Sequence, residues 1–211
     1  MYCQQQDCEA VGQIINLIKP EKGGSPAFNA YHVIETLKIL KNKHVGRPYL
    51  SQYFNLGEAS IKTLFKRLKY QGLITQIGRY NILTDKGNFV LNQIESKLNL
   101  FESKLKIENL ENCLILILHM DPPKDLTSIH GIRDEIIANN CKLVVVGFID
   151  NNLIGFPGLP DELQDELINC SKQYTANVNR GVIIITPKYC LQSIYSFFIF
   201  MVNDCCAKNH R

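Results

Sequence analysis

The sequence carries none of the short motifs that announce a particular chemistry. Its 211 residues contain no phosphate-binding glycine loop, no H-E-x-x-H helix and no nucleophile elbow, so nucleotide-driven, zinc-peptidase and serine-hydrolase readings have no anchor. No C-x-x-C pair occurs among its eight cysteines. The opening stretch MYCQQQDCEA has neither the basic start nor the apolar core of a secretory signal. No uninterrupted apolar run reaches the roughly 18 residues of a membrane span, and the longest, Ile194 to Val202, reads as a buried helix. Repeats and low-complexity tracts are absent. The expectation is a cytoplasmic protein without membrane contact, whose cysteines are mostly reduced. No cofactor and no metal site is expected. Cys113, Cys141, Cys170 and Cys190 lie in or beside apolar runs and read as small core residues. A metal site built from Cys3, Cys8, Cys205, Cys206 and His210 would need the two chain ends to meet, and tail cysteines without a ligand are the simpler reading.

What is present is a soluble-protein composition, 45% hydrophobic and 20% charged, with an uneven distribution of charge. The net +3 is unremarkable, but residues 28–98 hold eleven Lys or Arg against four acids, a balance of +7. Residues 108–211 hold eight against twelve, a balance of −4. One half is suited to a polyanion and the other is not.

Residues 9–19 predict a short amphipathic helix with Val11, Ile14, Ile15 and Ile18 on one stripe, and the PEKGGSP segment at 20–26 breaks it. Phe28 to Lys43 predicts a first helix of the basic half. Arg47-Pro48 opens a second, since proline suits a helix's first turn. Asn55-Leu56-Gly57 is a turn, with glycine supplying the freedom. A third helix runs from Glu58 to Gln71 and stops at Gly72. It hides Ile61, Leu64, Phe65 and Leu68 on one face and presents Lys62, Thr63, Lys66 and Lys69 elsewhere. A hairpin follows, Leu73 to Ile77 and Tyr80 to Leu83, with Gly78-Arg79 at its tip, and then Thr84-Asp85-Lys86-Gly87 opens another helix.

The stretch VGRPYLSQYFNLGEASIKTLFKRLKYQGLI, followed by GRYNILTDKG, resembles the winged helix-turn-helix of prokaryotic, and especially archaeal, transcriptional regulators. The resemblance rests on Ile61, Phe65, Leu68 and Gly72-Leu73 of the third helix. It rests also on Tyr80, Ile82, Leu83, Thr84, Lys86 and Gly87 after the hairpin, where Ile82 stands in place of the family's more frequent Leu. It covers about a third of the chain and implies binding of double-stranded DNA. A helix of this kind enters the major groove, with its N-terminal half reaching base edges. Ser60, Lys62, Thr63 and Lys66 occupy that reach. Arg67 and Lys69 are placed for phosphates, Arg79 for the backbone or minor groove, and Arg47 for phosphate at a helix start.

Leu91, Ile94, Leu98, Phe101 and Leu105 then recur at 3-4-3-4 spacing, a seam of two heptads. The expectation is a continuous helix to about Leu105 that pairs two copies into a homodimer.

From Cys113 onward, aliphatic runs alternate with helical patterns in the order strand, helix, strand, strand, helix, strand, helix. Asp150-Asn151-Asn152 reads as a hairpin turn. The fold class is therefore α+β in two domains, the second a small sandwich, ferredoxin-like with an added helix; a three-stranded parallel sheet is the alternative. This half also faintly resembles an uncharacterised archaeal domain found behind winged helices, which adds no chemistry. The expected boundaries are 1–27 (helix and linker), 28–98 (DNA-binding), 99–108 (connecting helix) and 109–211 (sensor or dimerisation). The place for a small-molecule effector is His119, Asp121 and Arg133 with the loop of Gly155, Phe156 and Gly158. The leading expectation is a DNA-binding transcriptional regulator and not an enzyme. The alternatives are a small-molecule enzyme with an accessory winged helix, or an architectural, partner-binding module.

Overall fold

The computed structural model describes residues 4–21, 24–122 and 125–209. Among them the chain forms eight α-helices and two β-sheets, an α+β fold. The chain divides into two units: one runs to Ser96 and takes in the chain from Ile199, and the other runs from Lys97 to Phe198. The segment before residue 28 is therefore part of the first unit, and the second unit starts near Lys97 instead of near Asn109.

In the first unit, α1 (Gln5–Ile18) starts four residues before the apolar pattern does. Gln4 and Asp7 form a reciprocal capping box that extends it, and Ala10, Val11, Ile14 and Leu17 are its buried residues. It packs on α2 (Ala30–Asn42) and α4 (Glu58–Tyr70). Between these two lies α3 (Arg47–Phe54), with its proline in the first turn. The turn from α3 to α4 differs from expectation. Asn55 takes the left-handed conformation at φ 52°, whereas Gly57 has φ −60° and is the residue preceding α4. Asparagine tolerates that region because its short polar side chain bonds locally. At the start of α2, the buried His32 accepts a hydrogen bond at Nδ1 from the Asn29 amide at 3.1 Å. Burial holds its imidazole below its ordinary pKa.

The hairpin β1 (Ile74–Ile77) and β2 (Tyr80–Leu83) pairs Ile77 with Tyr80, leaving Gly78-Arg79 as a two-residue tip. The T-D-K-G run after it fastens α5 (Asp85–Lys97) to the end of α4. Thr84 Oγ1 donates to Gly72 O at 2.6 Å, Lys86 Nζ donates to Gln71 O at 3.0 Å, and Gly87 N donates to Thr84 Oγ1 at 3.1 Å. The carbonyls of the two residues that follow α4 are thus satisfied by side chains from the start of the next helix. Glycine is required at 87 because a Cβ would lie 2.0 Å from the Leu73 carbonyl oxygen. Gly87→Ala is expected to destabilise the protein by about 1–3 kcal/mol through overpacking. Thermal melting checks this, and an unchanged midpoint would contradict the contact.

The second unit is built on a five-stranded, wholly antiparallel sheet in the order β3-β4-β7-β5-β6. Its strands are β3 (Asn99–Ser103), β4 (Cys113–Leu118), β5 (Val145–Asp150), β6 (Leu153–Gly155) and β7 (Arg180–Pro187). Three expectations fail here. First, α5 ends at Lys97 and residues 99–103 form β3 on β4, so neither the connecting helix nor the heptad seam exists. Phe101 stacks on Tyr174 at 4.7 Å, and Leu105 joins the core. The outer edge of β4 offers unpaired backbone groups, and pairing them prevails over two heptads of helical spacing.

Second, the strand order is not ferredoxin-like. That fold would place the third strand of the unit's βαββαβ core, here β6, between its first two. Here the last strand, β7, lies between β4 and β5, and β6 sits at the edge. Lengths explain the exchange: β6 has three residues, whereas β7 has eight and is buried from Gly181 to Pro187. Third, no strands pair in parallel. The continuous aliphatic runs arise because both faces are covered. Ile115, Ile117, Ile183 and Ile185 join a cluster with Leu167 of α7 (Asp161–Thr175), and the alternate residues Leu114, Leu116, Val182 and Ile184 are buried as well. The β5–β6 turn forms as its residues predict, with Asn151 and Asn152 both left-handed. α6 (Leu126–Ala138) packs on β5.

The last helix, α8 (Leu191–Asn209), belongs to the second unit through Phe198 and to the first from Ile199. The stretch Lys188–Ala207 is long and apolar enough to cross a membrane by length and composition, with a mean hydropathy of 1.3 and half of that window buried. Within it the apolar run Ile194 to Val202 is mostly buried, as expected, with Ile194, Tyr195, Phe197, Phe198, Ile199 and Val202 in the core. Two disulfides close the cysteine account differently from expectation. Cys8 bonds Cys206, and Cys141 bonds Cys190. The chain ends do meet, through a disulfide in place of a metal; no cluster of three His, Cys, Asp or Glu suited to a metal exists among the described residues. Cys3 and His210 lie outside those residues. Cys113 is a buried thiol, as expected, and burial pushes its pKa up to about 11.

Candidate nucleic-acid interface

α4 buries Ile61, Leu64, Phe65 and Leu68, which rotates Lys62, Thr63, Lys66 and Lys69 outward. The hairpin projects beside this helix because its exit is fastened to the α4 C-terminus through Thr84 and Lys86. Between α4, the hairpin and the start of α3 lies an open cleft of about 410 Å³. Arg47, Lys62, Lys66, Lys69 and Arg79 line it together with Gln76 and Asn81, and no carboxylate does. Among the described residues, no acid pairs with Arg47, Lys62, Lys66 or Arg79. Five of the eight residues expected to meet DNA thus converge on one concavity. Ser60 and Thr63 lie on the same helix, half-buried and exposed respectively, and Thr63 Oγ1 donates to Ala59 O at 3.0 Å.

Two of the eight bond to other groups of the protein, Arg67 out of the cleft and Lys69 within it. Arg67 turns to α1, where its Nη1 donates to Leu17 O at 2.6 Å and Lys19 O at 2.9 Å. Its Nε lies 3.2 Å from Glu21 Oε1, and the guanidinium sits over the Phe28 ring at 5.5 Å. With its side chain only 10% exposed, Arg67 caps a helix C-terminus and is not available to a phosphate. Lys69 Nζ donates to Gln76 Oε1 at 2.7 Å, and Gln76 Nε2 donates to Gly78 O at 2.9 Å. That chain of bonds holds the hairpin tip near the helix while leaving the ammonium in the cleft. On the other flank of α4 lies a groove of about 780 Å³ lined by Thr63, Lys66, Tyr70, Gln13 and Asn16. Glu21 also lines it, so its charge is mixed.

The expected effector site does not assemble. Phe156 is fully buried in the core, its ring so close to Gly147 that a Cβ there would lie 2.5 Å away. Gly155 lies against the Phe148 ring in the same way. His119 lines a different groove, near Phe101 and Tyr174. Asp121 is ion-paired to Arg180 at 3.1 Å, and Arg180 also holds Asp150 at 3.2 Å. Arg133 is exposed on α6, and Gly158 is a left-handed turn residue at φ 82°. The glycines at 147 and 155 serve close packing around two phenylalanines, which the sequence presents in the same guise as a binding loop.

Sequence reasoning missed Gln76 and Asn81. They sit opposite one another across the hairpin and face the cleft; their period-two placement on short strands was the available signal.

No family model and no curated protein matches this chain. Among solved structures, it is similar to a hypothetical protein from Pyrococcus horikoshii OT3, PH0730. The two share 21% identity at a TM-score of 0.59, over 84% of this chain and 94% of that one. At this identity the likeness is one of fold.

Proposed function

We propose that the protein is a sequence-specific, double-stranded-DNA-binding transcriptional regulator. In this reading α2 to α5 with the β1–β2 hairpin form a winged helix-turn-helix, and α4 is its reading helix. The observation that supports it most is the cleft: five cations, no carboxylate, between an exposed helix and a hairpin tip. Ser60, Lys62 and Thr63 lie on the half of α4 that would reach base edges, while Lys66, expected with them but in the C-terminal half of Glu58–Tyr70, would meet backbone phosphates with Arg47 and Arg79. Arg67 is withdrawn from the contact set. The second unit, in which residues 97–198 hold nine Lys or Arg against twelve acids, would remain off the DNA. No dimer interface is proposed, since the seam expected to carry one is not formed, and no effector is assigned. Such a role would place the protein with the genome.

The test is binding of the full chain to random and genomic duplexes, followed by fluorescence anisotropy across salt. The expected result is duplex binding whose log–log salt slope steepens by about 0.9 per phosphate engaged. Equal affinity for single-stranded RNA of the same length, or a flat slope, would overturn the reading.

A further inference from the structure

A helix seated in the major groove has a sugar–phosphate backbone on each flank. The groove is about 12 Å wide, and a helix with its side chains spans about 10–12 Å. The five-cation cleft accounts for one flank of α4. On the other lies the groove of about 780 Å³ between α1 and α4. Thr63, Lys66 and Tyr70 line it from α4, and Lys66 lines the cleft as well, so Lys66 stands on the crest between the two concavities. The α1 wall presents Gln13 and Asn16, three positions apart on one face of the helix. Lys19 Nζ donates to Asn16 Oδ1 at 3.0 Å. That bond settles which end of the carboxamide is spare: the oxygen is engaged and the Nδ2 hydrogens are left over. The Gln13 carboxamide has no hydrogen-bond partner among the described residues. Both side chains therefore have N–H groups to give, and a phosphate oxygen accepts them.

Two features of this groove would ordinarily repel a phosphate, the C-terminus of α1 and the carboxylate of Glu21. Arg67 removes both. Its Nη1 bonds Leu17 O and Lys19 O at the end of α1, and its Nε pairs with Glu21 at 3.2 Å. The remaining charges of the groove are Lys66 and Lys86, so its balance is positive. Lys86 gives one bond to Gln71 O and keeps two N–H donors. We propose that this groove seats the second backbone strand of the duplex, with the carboxamides of Gln13 and Asn16 donating to its phosphates. The inference rests on the duplex-DNA reading above and extends it. α1, which precedes the helix-turn-helix, becomes part of the interface, and Arg67 prepares the groove without touching DNA. Lys66 and Lys86 supply attraction and counterion release. The neutral amides of α1 fix register and add affinity without adding salt dependence.

The full chain carrying Gln13→Ala with Asn16→Ala tests this. Asn16 is exposed and Gln13 half-buried, and alanine favours a helix, so the melting midpoint should not fall. Duplex affinity is expected to drop roughly tenfold or more, the loss of hydrogen bonds to a charged acceptor, with the log–log salt slope unchanged. Asn16→Asp keeps the shape but replaces the donor with a negative charge, and should bind more weakly than Asn16→Ala. Methylphosphonate substitution, one strand at a time, should find sensitive phosphates on both strands for the parent. For the double variant they should remain only on the strand that faces the cleft. Parent-like affinity of the double variant, Asn16→Asp binding as well as Asn16→Ala, or sensitivity of the parent confined to one strand would overturn the role of α1. Absence of duplex binding by the parent would overturn the DNA reading itself.

Discussion

Replacing Lys62, Lys66 and Arg79 together by alanine is expected to weaken duplex binding by roughly a hundredfold or more near physiological salt. The three side chains line one cleft and are unpaired by acids among the described residues, so their loss removes charge from the interface without breaking an internal bond. Each one that meets a phosphate should flatten the log–log salt slope by about 0.9. Lys62, on the base-reading half of α4, should in addition relax preference at one base pair and cost about 1–3 kcal/mol there. The control is Lys142→Ala, an exposed lysine of the other unit, which should leave both affinity and slope alone. Lys69→Ala should behave differently from the other three. Its ammonium holds Gln76, so its effect includes a loosened hairpin. A triple variant that binds as tightly as the parent would remove α4 from the interface.

The Cys8–Cys206 disulfide is expected to carry the largest single share of stability. It links residues 198 apart in sequence, and closing a loop of that length restricts the unfolded chain by about 5 kcal/mol in the chain-entropy account. The Cys141–Cys190 loop, at a separation of 49, is worth about 4 kcal/mol on the same scale. Cys8→Ser with Cys206→Ser should therefore lower the melting midpoint by about 10–20 °C. A reducing agent, which opens both bonds, should lower the parent's midpoint further than the double substitution does, and lower the variant's by a smaller amount, since only Cys141–Cys190 is left in it to open. Titration of the native protein with a thiol reagent provides the independent check: eight reactive thiols after denaturation without reductant would show that neither bond forms.

What the sequence by itself determined about this protein is local. The stripe of Ile61, Leu64, Phe65 and Leu68, the stop at Gly72, the Gly78-Arg79 tip and the Asn151-Asn152 turn are legible because each depends on residues within a few positions of one another. The convergence of Lys62, Lys66 and Arg79 was legible for the same reason, since helix, turn and hairpin follow directly along the chain. Tertiary structure decided everything that joins distant segments. Residues 99–103 became a strand because β4 had an unpaired edge, against the helical spacing of Leu98, Phe101 and Leu105. β7 entered between β4 and β5 because it was long and apolar enough to be covered on both faces, while three-residue β6 was not. Arg67, indistinguishable in sequence from its basic neighbours, was claimed by the carbonyls of α1 fifty positions away. The same distance rule hid the two disulfides: spacing along the chain states nothing about which cysteines fold to within bonding reach. Phe156 and the glycines around it had the composition of a binding loop, and only the packing of Phe148 and Phe156 against Gly155 and Gly147 showed it to be core. Short-range order follows from local propensity and turn chemistry, whereas pairing, burial and side-chain commitment follow from which surfaces the whole chain leaves to be covered.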